Sequence, residues 1–215
     1  MTSSSLTTAV VIVVGAYLLG AVPFGLLVAK RQAGIDLLRY GSGSTGATNV
    51  YRAVGWKAST VVIVADVLKA AIPMVVAAGI TGSPLVESAA GVAAVAGHCW
   101  PVYTGWRGGK GSASSLGALF VLNPIVGASC LLVAAAAVAL TRYVSLGSVA
   151  GTTFGAVFMS YLLLTGREPV ELLLFTILTP VIILIRHRDN ISRLLAGHER
   201  RLGEKVDKAS FGEPS

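Results

Sequence analysis

Charge is what this sequence has least of. Only 13% of its 215 residues are charged, and the acids number 10 against 17 Lys and Arg. A soluble domain carries about 25% charged residues, so these side chains cannot clothe an ordinary water-facing surface, and the soluble globular class is excluded. Cysteine is nearly absent as well. Cys99 and Cys130 have no CxxC spacing and belong to no metal-ligand pattern, so both read as small packing residues and no metal is expected. No Lys or Arg occurs in residues 1–29. A secretory signal begins with a positive segment, so the first apolar run is expected to remain as a permanent span.

What is present in quantity is hydrocarbon. Apolar residues make up 54% of the chain, and the mean hydropathy is +0.75. Leu6–Ala29, Ser88–Trp106, Gly111–Thr141 and Tyr143–Gly166 hold no Asp, Glu, Lys or Arg. In lipid a helix satisfies its own backbone groups, and about 20 apolar residues cross the hydrocarbon. The expected fold is an all-α integral membrane protein. It forms a single membrane domain over residues 1–215, with a polar cytoplasmic tail from about 186 and no soluble domain or internal repeat.

The positions of the cations predict the topology. Span one is placed at about 6–28, followed by a loop, 29–57, that carries Lys30, Arg31, Arg39, Arg52 and Lys57. Spans at about 58–79 and 88–105 then leave and return, delivering Arg107 and Lys110 to the same side. Arg142 prefers that side too, so residues 111–141 must cross an even number of times. Asn123-Pro124 interrupts them, because proline removes a helical donor and disfavours helix at the residue before it. A hairpin of 113–122 and 125–141 satisfies this; its first arm, about 15 Å long at 1.5 Å per residue, needs shielding by protein. Spans at about 145–165 and 172–185 complete seven segments, N-terminus out and C-terminus in. Of the 17 cations, Arg167 is then outside, Lys69 is within a span, and 15 face the cytoplasm. That asymmetry is the signature of inward loops beside anionic lipid, so the net charge of +7 marks a membrane surface and no nucleic-acid partner.

Two glycine-rich segments with cations stand at helix ends: Gly41-Ser-Gly-Ser-Thr-Gly-Ala-Thr-Asn-Val-Tyr-Arg52 and Arg107-Gly-Gly-Lys-Gly-Ser112. Bare amides beside a fixed cation suit phosphate. Gly41-x-Gly43-x-x-Gly46 formally matches a dinucleotide fingerprint, but it lacks the strand-to-helix setting. The second segment has Thr104 and Gly111 where a Walker loop needs Gly and Ser/Thr, so ATP hydrolysis is not expected. The competing bland readings are flexible glycine loops and a Lys that merely anchors a helix. Two weaker motifs follow. Tyr143-Val-Ser145-Leu-Gly-Ser148 could be helix capping, and His187-x-x-Asn190 places two polar groups on one helical face. Asp66 and Lys69 sit at i, i+3 within a span and read as an ion pair that fixes the cytoplasmic loop, with direct substrate contact as the alternative. His98 either belongs to the site or positions the turn into the second glycine loop.

GSGSTGATNVYR, GHCWPVYTGWRGGKGSAS, RYVSLGS and RHRDNISRLLAGHE, in this order, resemble the bacterial acyl-phosphate:glycerol-3-phosphate acyltransferase family along nearly the whole chain. The resemblance implies a seven-helix enzyme of the bacterial plasma or inner membrane whose site faces the cytoplasm. Such an enzyme transfers a fatty acyl group from acyl phosphate to the sn-1 hydroxyl of glycerol 3-phosphate, giving lysophosphatidic acid without a cofactor. The partners implied are membrane lipid and the soluble enzyme that makes acyl phosphate. The HxxxxD signature of acyl-CoA-dependent enzymes is absent, since Tyr103, Ser192 and Gly203 stand five residues after the three histidines.

Carried onto this sequence, the family's motifs assign Ser42, Arg52, Lys110, Ser145, His187 and Asn190 to catalysis. They assign Gly43, Thr48, Asn49, Gly108, Gly109, Gly111 and Glu199 to substrate or phosphate. Three positions depart from the family: Ser44 replaces the usual Asn, Asp189 the usual Glu, and His198 the usual Thr. The expected chemistry is direct attack by the substrate hydroxyl, with a substrate phosphate oxygen or His187 taking the proton. The competing function is a transporter of organic phosphates, which would need a polar path across the later spans.

Overall fold

The computed structural model describes residues 3–204 of the 215; Lys205 and Lys208, counted above among the inward cations, lie outside that range. The described residues form helices α1 (Ser3–Gly20), α2 (Phe24–Ala33), α3 (Ala47–Ala53), α4 (Trp56–Thr81), α5 (Pro84–Cys99), α6 (Ser112–Leu122), α7 (Pro124–Thr141), α8 (Val144–Leu164) and α9 (Leu173–Leu195). Among the described residues, five stretches are long and apolar enough to cross a membrane: Ser5–Ala33, Trp56–Thr81, Pro124–Thr141, Val144–Leu164 and Val170–Leu195. The expected third and fourth segments correspond to α5 and α6, which have 16 and 11 residues.

Three boundaries differ from the sequence expectation, each for a local reason. The first span is two helices rather than one continuous run over 6–28. Pro23 has no amide to donate, so the chain breaks after Gly20 and restarts at Phe24. The break frees the Val22 carbonyl, which accepts a hydrogen bond from Lys69 Nζ at 3.0 Å. The third span stops at Cys99 and does not reach residue 105, because Pro101 follows. The last helix does not end at Ile185 but continues to Leu195, so the first part of the expected polar tail is helical.

The short arm α6 is shielded as its length requires, packing against α4 and α7. At the hairpin tip, Asn123 Oδ1 accepts from the Ile125 and Val126 amides at 3.0 Å each and caps α7, while Pro124 takes the first helical position. The Asn123 amide also donates to Glu168 Oε1 at 2.7 Å.

Alanine dominates the central core, with Ala16, Ala70, Ala77, Ala90, Ala94 and Ala118 around Met74 and Phe175. Lipid supplies no hydrophobic drive between helices, so association rests on close backbone approach through small residues. The α1–α5 crossing shows how close. A Cβ on Gly20 would overlap the Ala94 carbonyl, and one on Gly97 would overlap the Tyr17 carbonyl. Gly97→Val is therefore expected to lower the thermal unfolding midpoint in detergent by about 2–12 °C, since overpacking costs about 1–3 kcal/mol and each kcal/mol shifts a domain of this size by about 2–4 °C. An unchanged midpoint would show that the two helices can part at no cost.

Candidate active site

The first glycine loop is folded around Asn49. Its Nδ2 donates to the carbonyls of Tyr40 and Ser44, both at 2.9 Å, and of Leu37 at 3.4 Å; its Oδ1 accepts from the Ser42 amide at 3.3 Å. Asn49 was expected to bind phosphate, yet both its polar atoms are engaged by the chain itself. They shape the turn that presents Ser42, and α3 then carries Thr48 and Arg52 beside it. Burial lowers the Arg52 pKa first, and the nearby Arg200 adds to that, against the opposing pull of Glu199. Arg107 Nη2 donates to the Leu38 carbonyl at 2.8 Å, which ties this loop to the second.

The second glycine segment departs from a simple phosphate cradle. The Gly109 amide is already spent on the His98 carbonyl at 3.0 Å. The Gly109 and Gly108 carbonyls accept from Arg186 Nε and Nη2 at 3.0 and 3.2 Å. These two glycines are needed for close packing, since a Cβ on Gly108 would overlap the His98 carbonyl and one on Gly109 the His98 ring. Gly111 has a left-handed φ of +87° as the residue before α6, and it turns Lys110 inward. Lys110 Nζ then donates to Asn190 Oδ1 at 2.5 Å.

Three side chains, one from α8 and two from α9, meet at one carboxylate. Glu199 Oε1 accepts from Asn190 Nδ2 at 2.6 Å and Ser145 Oγ at 2.8 Å, and Oε2 accepts from Arg193 Nε at 2.8 Å. Burial alone would raise the Glu199 pKa, but these hydrogen bonds and the Arg193 charge hold it below its ordinary value. Glu199 reaches the node because α9 ends in a Schellman turn. The His198 amide bonds the Arg193 carbonyl at 2.8 Å and the Gly197 amide the Leu194 carbonyl at 3.2 Å, with Gly197 at a φ of +72°. The returning segment is pinned by Leu202, which donates its amide to the Arg142 carbonyl at 2.7 Å and accepts from Arg142 Nη2 at 2.8 Å.

His187 is buried, with Nδ1 2.8 Å from the Ile183 carbonyl. A carbonyl can only accept, so Nδ1 carries a hydrogen, and in the neutral ring Nε2 keeps its lone pair. Lys110 is held to a pKa of about 8, chiefly by burial. Glu199 pulls its pKa back up, and Arg193, Arg52 and Arg186 push it down.

These groups line two joined cavities. One, of about 280 Å³, runs between α6, α7 and α8 past Leu116, Leu119, Leu131 and Ala134. The other, of about 600 Å³, is edged by Arg186, Arg188 and Arg193. Ser42, Arg52, Lys110, Asn190, Glu199 and Arg200 belong to both. Ser145, His187, Thr48, Asn49 and Gly111 face the first cavity, Gly43 and Gly108 the second, and Gly109 neither. Sequence reasoning missed Arg186, Arg193 and Arg200, because a basic tail looked topogenic. A signal did exist: Arg186, Asn190 and Arg193 repeat at i, i+4 and i+7, one stripe of a helix. The Asp66–Lys69 ion pair, 2.8 Å long, fixes the helix break at Val22 instead of the cytoplasmic loop. Asp66 and His98 also line the first cavity.

Residues 10–197 match the profile of the family described as glycerol-3-phosphate acyltransferase. The glycerol-3-phosphate acyltransferase of Halalkalibacterium halodurans is 40% identical over 198 residues, covering 91% of this chain and 96% of that one. The enzyme of that name from Clostridioides difficile is 42% identical over 203 residues, covering 92% and 97%. Among solved structures, PlsY, an integral membrane glycerol 3-phosphate acyltransferase, superposes in its glycerol 3-phosphate form with a TM-score of 0.84 at 41% identity, covering 91% of this chain and 96% of that one. Its lysophosphatidic acid form gives a TM-score of 0.82 at 40% identity with the same coverage. With the match spanning almost every helix and both glycine loops, the chain belongs to the glycerol-3-phosphate acyltransferase family.

Proposed function

We propose that the two cavities divide the two substrates of one acyl transfer between them, and that the substrates meet at Lys110. The protein is an acyltransferase. It moves a fatty acyl group from acyl phosphate to the sn-1 hydroxyl of glycerol 3-phosphate and releases lysophosphatidic acid and inorganic phosphate. The observation that carries this reading is the junction. An apolar slot and a basic vestibule share one set of cations and hydroxyls, which suits an acyl tail on one side and a phosphorylated polyol on the other.

The chemistry needs little covalent help, because phosphate is already a good leaving group. Arg52 and Lys110 bind the phosphates and screen their mutual repulsion, Ser42 and Ser145 orient them, and Asn190 holds the glycerol backbone. Thr48, Gly43, Gly108 and Gly111 shape the walls; Asn49, Gly109 and Glu199 position the groups that touch substrate. The hydroxyl oxygen attacks the acyl carbonyl carbon and the bond from that carbon to the phosphate oxygen breaks. The hydroxyl proton passes to His187 Nε2 or to a phosphate oxygen, and no acyl-enzyme forms. Purified protein in detergent, given acyl phosphate and radiolabelled glycerol 3-phosphate, should form labelled lipid. Uptake of label only into sealed vesicles would identify a transporter instead.

The Lys110 charge predicts the alkaline limb of activity. Lysine is charged below its pKa, so kcat/KM for glycerol 3-phosphate should fall as pH rises through about 8. Lys110→Arg keeps its charge far beyond that range and should lose this limb. An unchanged limb in Lys110→Arg would assign it to another group.

The site faces the cytoplasm in this reading, with seven segments, the N-terminus outside and the C-terminus inside the bacterial plasma or inner membrane. The distribution of the cations supports it. The soluble enzyme that produces acyl phosphate would then deliver it from the same side. Cysteine labelling in intact cells, at the exposed positions of Arg39 and Tyr103 in the two loops, tests the orientation; reaction with an impermeant reagent from outside would reverse it.

A further inference from the structure

We infer that His98, seated on Asp66, is a positioning residue that holds the Gly108–Lys110 segment in place and so aims the Lys110 ammonium at substrate phosphate. The inference rests on the phosphate-binding role of Lys110 proposed above.

Both faces of His98 act on the same short stretch. Its carbonyl accepts the Gly109 amide at 3.0 Å, and its ring lies so close to Gly109 that a Cβ there would overlap Nε2. Lys110 is the next residue, so a shift at Gly109 passes to it directly. On the other side of the ring, Nδ1 makes no hydrogen bond but stands 3.4 Å from Asp66 Oδ1, close enough for the carboxylate charge to orient the imidazole dipole. Asp66 itself cannot swing away. Lys69 Nζ holds the same oxygen at 2.8 Å and is in turn fixed by the Val22 carbonyl at 3.0 Å. Asp66, Lys69 and His98 are 2%, 3% and 5% exposed. A buried charge costs several kcal/mol unless it is partnered, so the Asp66–Lys69 pair, closed by the Val22 carbonyl, holds the oxygen that faces His98 in a fixed place. The break in the first span at Pro23 thus supports an unbroken chain of contacts that ends at Lys110.

Arg186 supports the segment from the opposite side through the Gly108 and Gly109 carbonyls. The loop is gripped by a histidine on α5 and an arginine on α9, with no contact needed between substrate and either grip. Misplacing a catalytic group by about 1 Å can cost about 10²-fold in rate, which sets the scale of the effect.

The test is a double-mutant cycle in kcat/KM for glycerol 3-phosphate with Gly109→Ala, His98→Ala and the pair. Gly109→Ala alone should lose about 10²-fold, because its methyl drives the ring and the loop apart. In the His98→Ala background the same methyl meets empty space and should cost less than about fivefold, so the two losses are far from additive. His98→Ala alone should raise KM for glycerol 3-phosphate about tenfold with kcat within about threefold, since the cation is displaced but not removed. His98→Gln, which keeps an amide facing Asp66, should recover part of that loss. Additive losses, or a wild-type KM in His98→Ala, would overturn the inference. If neither His98 variant gave monodisperse protein in detergent, His98 would be a stability element and the inference would also fall. Lys110→Ala in the same assay separates the two readings, because wild-type kcat/KM there would overturn the role of Lys110 itself.

Discussion

Lys110→Ala is expected to lower kcat/KM by about 10³-fold, at the upper end of what one preorganised charge contributes in a water-poor site, while leaving a folded, membrane-inserted protein. The loss is large in the proposed reading because Lys110 lines both the apolar slot and the basic vestibule, where the phosphate of either substrate would come within its reach. The fold should survive because its side chain makes one hydrogen bond, to Asn190, and removing a buried cation also removes its desolvation cost. Steady-state kinetics with both substrates varied, alongside the thermal unfolding midpoint in detergent, checks each half. Activity within about tenfold of wild type would mean that the neighbouring arginines carry the phosphate.

Glu199→Ala should be the second most damaging single change, with about 10²-fold lost in kcat/KM, the scale expected when a site's supporting contacts loosen by about 1 Å. Its carboxylate holds Ser145 of α8 and Asn190 and Arg193 of α9 in one cluster, so truncation releases three groups together. It is also the acid that raises the Lys110 pKa. Removing it should move the alkaline limb of kcat/KM below pH 8, a displacement that loosened packing alone would not produce. On the acid side the sign is opposite. The Glu199 pKa is lowered in the folded protein, so its contribution is fully present above the ordinary carboxylate range and fades as pH falls through that lowered value. A Glu199→Ala enzyme whose alkaline limb stayed in place would show that Lys110 does not sense this carboxylate.

Much of the architecture is readable from the chain because its causes are local. An uncharged apolar run must become helix in lipid, Asn123-Pro124 must interrupt one, and a glycine flanked by cations must end another. The departures also have local causes, but ones that need a partner to be recognised. Pro23 splits the first span, and the break is stable because Lys69, forty-six residues on, occupies the freed carbonyl. Helix α9 overruns Ile185 because the basic residues beyond it face a polar cavity, which hydropathy alone reads as the end of a span.

The same division runs through the site. Residue types bring forward two glycine-rich segments with cations, and the resemblance of four ordered motifs to the family brings forward Ser42, Arg52, Lys110, Ser145, His187 and Asn190. Only the tertiary structure showed which of their atoms are already bonded and which cavity each faces. Asn49 turned out to fold a loop, Gly109 to make room for a histidine, and Arg186 and Arg193, which looked like lipid anchors, to brace the site. Composition and periodicity are properties of neighbours along the chain, so they determine which segments enter the membrane as helix. Which polar atom is free and which is already bonded depends on contacts between residues as distant as Asp66 and His98 or Ser145 and Glu199, and those exist only once the helices have packed.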